Sequence, residues 1–259
     1  MLKGKTALVT GSTSGIGLGI ADALARAGAN IVINGFGEPD VIQRVTPQLQ
    51  KHNVRTLYHG ADMSKPAEIE QMMRAADAEF GRIDILVNNA GIQHVSPVES
   101  FPPDRWDAII AINLSSAFHT TRLALPKMKQ QNWGRIINIA SVHGLVASAD
   151  KSAYVAAKHG IVGFTKSVAL ETAQTGVTCN AICPGWVLTP LVQKQIDARV
   201  EREKLQPEAA QKALVGEKQP SMQFVTTEQL GALAVFLCGP AADQIRGAAW
   251  NVDGGWYAQ

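Results

Sequence analysis

The sequence predicts one doubly wound α/β domain, a parallel sheet covered by helices on both faces. Three observations carry that expectation: short apolar runs alternate with longer helical patterns throughout, the chain has 259 residues, and 46% apolar content with 23 glycines suits a turn-rich globular protein. Such alternation implies crossover connections and parallel strands. The length is sufficient for one large core.

Seven strands are expected, at Thr6 to Thr10, Asn30 to Asn34, Arg55 to Gly60, Ile83 to Asn88, Arg135 to Ala140, Val177 to Ile182 and Ala248 to Val252. Helical patterns lie between them, near 15–28, 39–52, 66–80, 103–130, 151–174 and 227–238. The stretch from Leu188 to Val225 differs, being polar and rich in Gln, Lys and Glu. Placed between the sixth strand and the next helix, it reads as a helical lid. No repeat, low-complexity tract or linker divides the chain, so residues 1–259 are expected to form a single domain with the lid inserted at about 188–225.

A formal charge of +2, from 24 basic and 22 acidic residues, gives no sign of nucleic-acid affinity. The amino terminus enters a strand pattern at once without a secretory-signal core, and no apolar run would span a bilayer. A cytoplasmic protein without membrane association is expected. Cys179, Cys183 and Cys238 are odd in number and lack metal-ligand spacing, so they read as small buried side chains. No metal is assigned.

Thr10-Gly11-Ser12-Thr13-Ser14-Gly15-Ile16-Gly17 joins the first strand to a helix whose apolar positions Ile16, Ile20, Leu24 and Ala27 recur at helical spacing. In that context a glycine string is a Rossmann-type dinucleotide site: Gly11 permits the tight turn, Gly15 admits the pyrophosphate, and Gly17 allows close helix packing. The helix amino terminus supplies free N–H groups and positive dipole. The second strand ends in Asn34-Gly35-Phe36-Gly37-Glu38. No basic residue there meets a 2′-phosphate, and Thr13 and Ser14 are uncharged, so NAD is the expected cofactor. The usual ribose-binding acid is missing too, with Asn34 or Gly35 in its place and Phe36 beside the adenosine. Asp62 is placed either to accept from the adenine amino group or to cap the helix near Pro66.

Tyr154 and Lys158 stand four residues apart in Ser-Ala-Tyr-Val-Ala-Ala-Lys, on one face of a helix, with Ser141 thirteen residues upstream. An ammonium beside a phenol favours the phenolate and prepares it to take a proton from an alcohol. With Asn88-Asn89-Ala90-Gly91, Asn113 and Pro184-Gly185, these motifs follow the glycine turn in an order that resembles the short-chain dehydrogenase/reductase family over the whole chain.

The resemblance implies that Tyr154 is the acid/base, that Lys158 lowers its pKa and holds the nicotinamide ribose, that Ser141 positions the substrate oxygen and that Asn113 holds a relay water. It further implies that Asn89, Ala90 and Gly91 line the cofactor, with Met63 beside Asp62, while Pro184, Gly185, Val187 and Thr189 bracket the nicotinamide amide. It also implies a homotetramer. Apolar residues on the long helices at 103–130 and 151–174 exceed what one sheet face needs, which is consistent with subunit packing.

Gln93, His143, Lys151 and Gln195 gather where a small substrate lies, a cation with amide and imidazole donors suited to a carboxylate. Trp186 and Trp256 wall off space and favour a short chain. As a set these residues are similar to the 3-hydroxybutyrate-oxidising branch of the family, which implies conversion of (R)-3-hydroxybutyrate to acetoacetate by NAD, with Gln93, His143, Lys151 and Gln195 on the carboxylate. An acyl-carrier-protein reductase or another short hydroxy-acid dehydrogenase is the enzyme alternative. A nucleotide-binding sensor without turnover is the other, and the intact Asn113, Ser141, Tyr154 and Lys158 argue against it.

Overall fold

A computed structural model describes residues 1–37 and 39–258; Glu38, Gln259 and the Leu191 side chain lie outside the described residues. The strands are β1 (Thr6–Val9), β2 (Asn30–Asn34), β3 (Thr56–His59), β4 (Ile85–Asn88), β5 (Gly134–Ile139), β6 (Val177–Pro184) and β7 (Ala249–Val252). They form one sheet of order β3-β2-β1-β4-β5-β6-β7, with every neighbouring pair parallel. The chain winds outward in opposite directions from β1 and β4, which opens a crevice beyond their carboxyl ends. Strands β1, β4, β5 and β6 are buried along their whole length; they are mostly apolar, and their buried polar side chains are hydrogen-bonded, as Asn88 to Asn138 and Asn138 to Thr165.

Helices α1 (Gly15–Arg26), α2 (Pro39–Gln50), α3 (Pro66–Phe80), α4 (Pro103–Ile110), α5 (Ser116–Gln130), α6 (Ser152–Glu171) and α9 (Thr227–Cys238) accompany the sheet. One core, including Ile20, Leu24, Ile33 and Leu230, joins α1 and α9 to the sheet; another, including Met72, Leu86, Met128 and Ile136, fills the space beneath α3 and α5.

The sequence periodicity predicts one continuous helix over 103–130, and the structure corrects this. A π turn at Ala111–Ser115 separates α4 from α5. The wider turn keeps the chain helical on either side, so the apolar spacing carries no mark of it. Asn113 sits inside this turn, 2% exposed. The polar insertion contains α7 (Pro190–Glu203) and α8 (Pro207–Gly216), each opened by a proline at a first-turn position. Val192, Ile196, Ala210 and Leu214 form a small core of their own, with Trp186 packed on it. Both ends of the insertion are tied, because Val187 pairs with Val225 and the Val225 N–H donates to the Trp186 carbonyl at 2.8 Å.

Candidate active site

The glycine turn is built against the end of β4. Gly11 has φ +63°, and a Cβ there would lie 3.0 Å from Ala90 Cα. Asn89 braces the turn, donating through Nδ2 to the carbonyls of Thr10 at 2.8 Å and Gly11 at 3.1 Å. The Thr10 hydroxyl accepts from Asn89 N and Ala90 N, both at 2.9 Å. Ser14, before α1, makes no side-chain cap, and no acidic residue occupies the first turn of that helix. Its leading N–H groups therefore remain available to an anion.

A groove of about 330 Å³ starts there, and Gly11, Thr13, Gly15, Ile16, Phe36, Asp62, Met63, Asn89, Ala90, Gly91, Tyr154, Lys158 and Thr189 line it as expected. Gly17 is not in the lining; a Cβ there would run into the Gly11 carbonyl, so it acts behind the turn. Pro184, Gly185 and Val187 line the adjoining cavity instead. Ser14, Ala61, Ile92, Ile112, Ile139 and Ala140 also line the groove. The last five escape sequence reading because apolar wall residues carry no chemical mark.

At the end of β2, Asn34 is fully buried and engaged: its Oδ1 accepts from Gly11 N at 3.2 Å while Nδ2 donates to the His59 and Ala61 carbonyls at 3.1 and 3.0 Å. It binds β2 to the glycine turn and to the exit from β3, and with Gly35 it lines the groove. Thr13 donates to the Phe36 carbonyl at 2.8 Å, holding that exposed ring at the rim of the groove. Asp62 accepts from Ser64 N at 2.9 Å and Ser64 Oγ at 2.7 Å, bonds that keep its carboxyl below the usual range. Lys158 is the only cation lining the groove among the described residues. The groove thus suits a dinucleotide with a free adenosine ribose better than one carrying a further phosphate.

Ser141 follows β5, and α6 presents Tyr154 and Lys158. The Lys158 ammonium donates to the Ile139 carbonyl at 2.7 Å and lies 5.5 Å from the Tyr154 ring centroid. Burial pushes Lys158 down to about 8. Burial also raises Tyr154, against a hydrogen bond with Ser141 that lowers it. This direction is opposite to the expected depression of Tyr154, because taking both groups out of water penalises the charged form of each. The side chain of Asn113 is engaged as well. Its Oδ1 accepts from Ile92 N and its Nδ2 donates to the Ile92 carbonyl, both at 2.9 Å, so the amide is occupied in tying the π turn to the loop after β4.

The adjoining cavity, of about 90 Å³, is lined by all eight residues expected around the substrate: Gln93, Ser141, His143, Lys151, Tyr154, Trp186, Gln195 and Trp256. Ile16, Ala140, Tyr154 and Thr189 line both spaces, so the two meet at the phenol. Gln93 Nε2 and Trp186 Nε1 are buried without a hydrogen-bond partner. The Lys151 ammonium lies 5.2 Å from the Trp186 ring centroid, and no carboxylate among the described residues is within ion-pair distance of it. Burial lowers its pKa, with Glu217 opposing at longer range. The rings of Trp256 and Trp186 are 5.7 Å apart, and Trp256 is 5.2 Å from His143.

His143 differs from expectation, since both its nitrogens already face serines, Nε2 at 2.8 Å from Ser148 Oγ and Nδ1 at 3.4 Å from Ser141 Oγ. Burial, with Lys151 and Lys218 adding repulsion, pushes it down to about 4 and keeps it neutral. Two supporting residues were not foreseen. Ser148 sits in a loop without a motif, and Gln219, which accepts from Trp186 N at 2.9 Å, lies in the polar stretch after α8.

A seven-stranded sheet with a dinucleotide groove and a Ser-Tyr-Lys cluster at its mouth defines a nicotinamide-dependent oxidoreductase. Residues 5–200 match the family described as short chain dehydrogenase, and the chain belongs to it. It is 72% identical, over the full length of both chains, to a D-beta-hydroxybutyrate dehydrogenase of Cupriavidus necator. It is 57% identical to another of that name from Rhizobium meliloti, with 98% of this chain and 99% of the relative covered. Among solved structures it resembles an actinorhodin polyketide ketoreductase with NADPH, at a TM-score of 0.93 and 33% identity with both chains fully covered.

Proposed function

We propose that this chain oxidises (R)-3-hydroxybutyrate to acetoacetate with NAD and catalyses the reverse reduction. The observation that carries the reading is a small walled cavity meeting the cofactor groove at Tyr154, with a half-buried lysine that has no ion-paired carboxylate among the described residues and an unsatisfied amide donor at Gln93. Unpaired buried cations and donors are costly, and a carboxylate ligand relieves both costs.

Bound along the groove, NAD would supply the hydride acceptor and a positive ring. Lys151, Gln93 and Gln195 hold the substrate carboxylate, Ser141 holds the hydroxyl oxygen, and Tyr154 takes its proton as general base. Lys158 is close enough to favour the phenolate once charge begins to form. The Asn113 amide is engaged with Ile92, so a relay water would rest on its main-chain carbonyl. His143 lines the same cavity and is the fourth group on the carboxylate, its Nε2 resting 2.8 Å from Ser148 Oγ before the acid binds. An acyl-carrier substrate needs an open approach, which the Trp186 and Trp256 walls oppose.

The enzyme is inferred to work as a homotetramer in the cytosol; three buried, unpaired cysteines support a reducing compartment. No helix among the described residues is long and apolar enough to cross a membrane.

The test follows absorbance of reduced nicotinamide with (R)- and (S)-3-hydroxybutyrate, each with NAD and with NADP. Turnover of only the (R) acid with NAD is expected. No turnover of either enantiomer would overturn the substrate assignment, and equal use of NADP would overturn the cofactor assignment.

A further inference from the structure

We propose that Gln219 is a positioning residue that limits the length of hydroxy acid the site accepts: its amide fixes the main chain of Trp186 and its stem packs on the turn before Trp256, so that the two indole walls of the small cavity do not yield. The proposal rests on the oxidation of a short hydroxy acid at Tyr154 described above.

Gln219 lies in the polar stretch after α8, where composition gives no reason for burial, yet it is 1% exposed. A buried primary amide is costly unless both of its ends are bonded. Here Oε1 accepts from the Trp186 N–H at 2.9 Å, and Nε2 donates to the Gln223 carbonyl. The partners themselves fix the orientation of the amide, since one can only donate and the other can only accept. The Val225 N–H donates to the Trp186 carbonyl at 2.8 Å, so both main-chain polar groups of Trp186 are bonded to the far end of the lid. The residue at the lid's entry is stapled to the lid's exit.

Packing around the amide is tight on two sides. A Cβ on Gly185 would lie 2.5 Å from Gln219 Oε1, and one on Gly254 would lie 2.6 Å from Gln219 Cγ. The Gly254 carbonyl accepts from Ser221 N at 3.0 Å, and Trp256 follows two residues later. One side chain is thus wedged between the chain leaving β6 and the chain leaving β7. Trp186 and Trp256, with ring centroids 5.7 Å apart, line the cavity of about 90 Å³, and Gln219 stands behind them. An acid one methylene longer has to push one of these rings back, and the staple resists that movement.

Two measurements on the full-length protein with NAD test this. The first is the fluorine NMR spectrum after labelling the five tryptophans with 5-fluorotryptophan, the signals of Trp186 and Trp256 being assigned by their loss in Trp186→Phe and Trp256→Phe. Gln219→Met, of similar volume but without either hydrogen bond, is expected to shift or broaden these two signals and to leave those of Trp106 and Trp133 in place. An unmoved Trp186 signal would overturn the proposal, whatever the substrate proves to be. The second is steady-state kinetics with (R)-3-hydroxybutyrate and (R)-3-hydroxypentanoate. One methylene against an apolar wall is worth about tenfold or more in kcat/KM, and Gln219→Met is expected to narrow the preference for the shorter acid about threefold to tenfold, with the dissociation constant of NAD unchanged. Gln219→Asn, whose amide is too short to reach both partners, is expected to do the same and serves if Gln219→Met does not fold. An unchanged ratio of the two kcat/KM values, or a loss equal for both acids, would overturn the proposal. A wild-type enzyme inactive on both acids would sink the substrate reading while leaving the fluorine spectrum to decide whether Gln219 holds the wall.

Discussion

Lys151 is a cation in the wall of the small cavity with no ion-paired carboxylate among the described residues. Its ammonium is largely buried and its neighbour is the face of Trp186 rather than a carboxylate. A cation–π contact is worth about 1–2 kcal/mol, less than a full counter-ion in a dry cavity. Removing it should therefore act on the acid and not on the cofactor. Lys151→Ala is expected to raise KM for the hydroxy acid about tenfold to a hundredfold, the loss of one charge-assisted hydrogen bond, with the dissociation constant of NAD unchanged by fluorescence titration. An unaltered KM would mean that the carboxylate is held elsewhere. The residues expected around the substrate were legible because each carries a polar group that the fold would otherwise have no reason to bury. What side-chain types cannot reveal is which hydrogen bonds are already taken, and the Asn113 amide and both His143 nitrogens are taken.

At the scale of elements, the lid separates two kinds of stability. Helices α7 and α8 pack on a core of four buried residues and on Trp186, whereas the sheet lies between two much larger cores. A cavity made in the small core should loosen the lid before it loosens the fold. Ile196, fully buried at its centre, is the test: Ile196→Ala is expected to cost about 2–5 kcal/mol locally. Hydrogen exchange should then quicken in α7 and α8 while β4 to β6 keep their protection, and KM for the acid should rise. Uniform acceleration across the molecule would show that the lid is not a separate unit. The insertion is helical as expected, because two prolines at first-turn positions suit the starts of its helices. The π turn was invisible for the opposite reason, since it changes the phase of a helix without changing its composition.

For the whole molecule, the outer faces of α5 and α6 are where charge and apolarity disagree. Phe118, 47% exposed, lines a groove of about 510 Å³ with Leu125, Pro126 and Phe164, and Leu170 on α6 is 79% exposed. Large exposed apolar side chains favour association with another apolar face. With the assembly as inferred, sedimentation velocity should give a tetramer for the native chain, and Phe118→Glu with Leu170→Glu should shift it to smaller species. A native monomer would remove the assembly from the account.

The sequence by itself determined the parallel α/β fold, the glycine turn, the Ser-Tyr-Lys cluster and the set of polar residues that line the small cavity. These are encoded locally: strands buried on both faces are mostly apolar, a turn with φ near +60° favours glycine, and the spacing of Tyr154 and Lys158 is that of one helical turn. Only the tertiary structure decided how the protons and hydrogen bonds are shared. Asn34 became a brace between strands, Asn113 a tie to Ile92, and His143 a neutral ring between two serines. A donor or acceptor is spent on whichever partner the fold brings nearest, and those partners lie 2 to 27 residues away along the chain, at distances set by packing rather than by order.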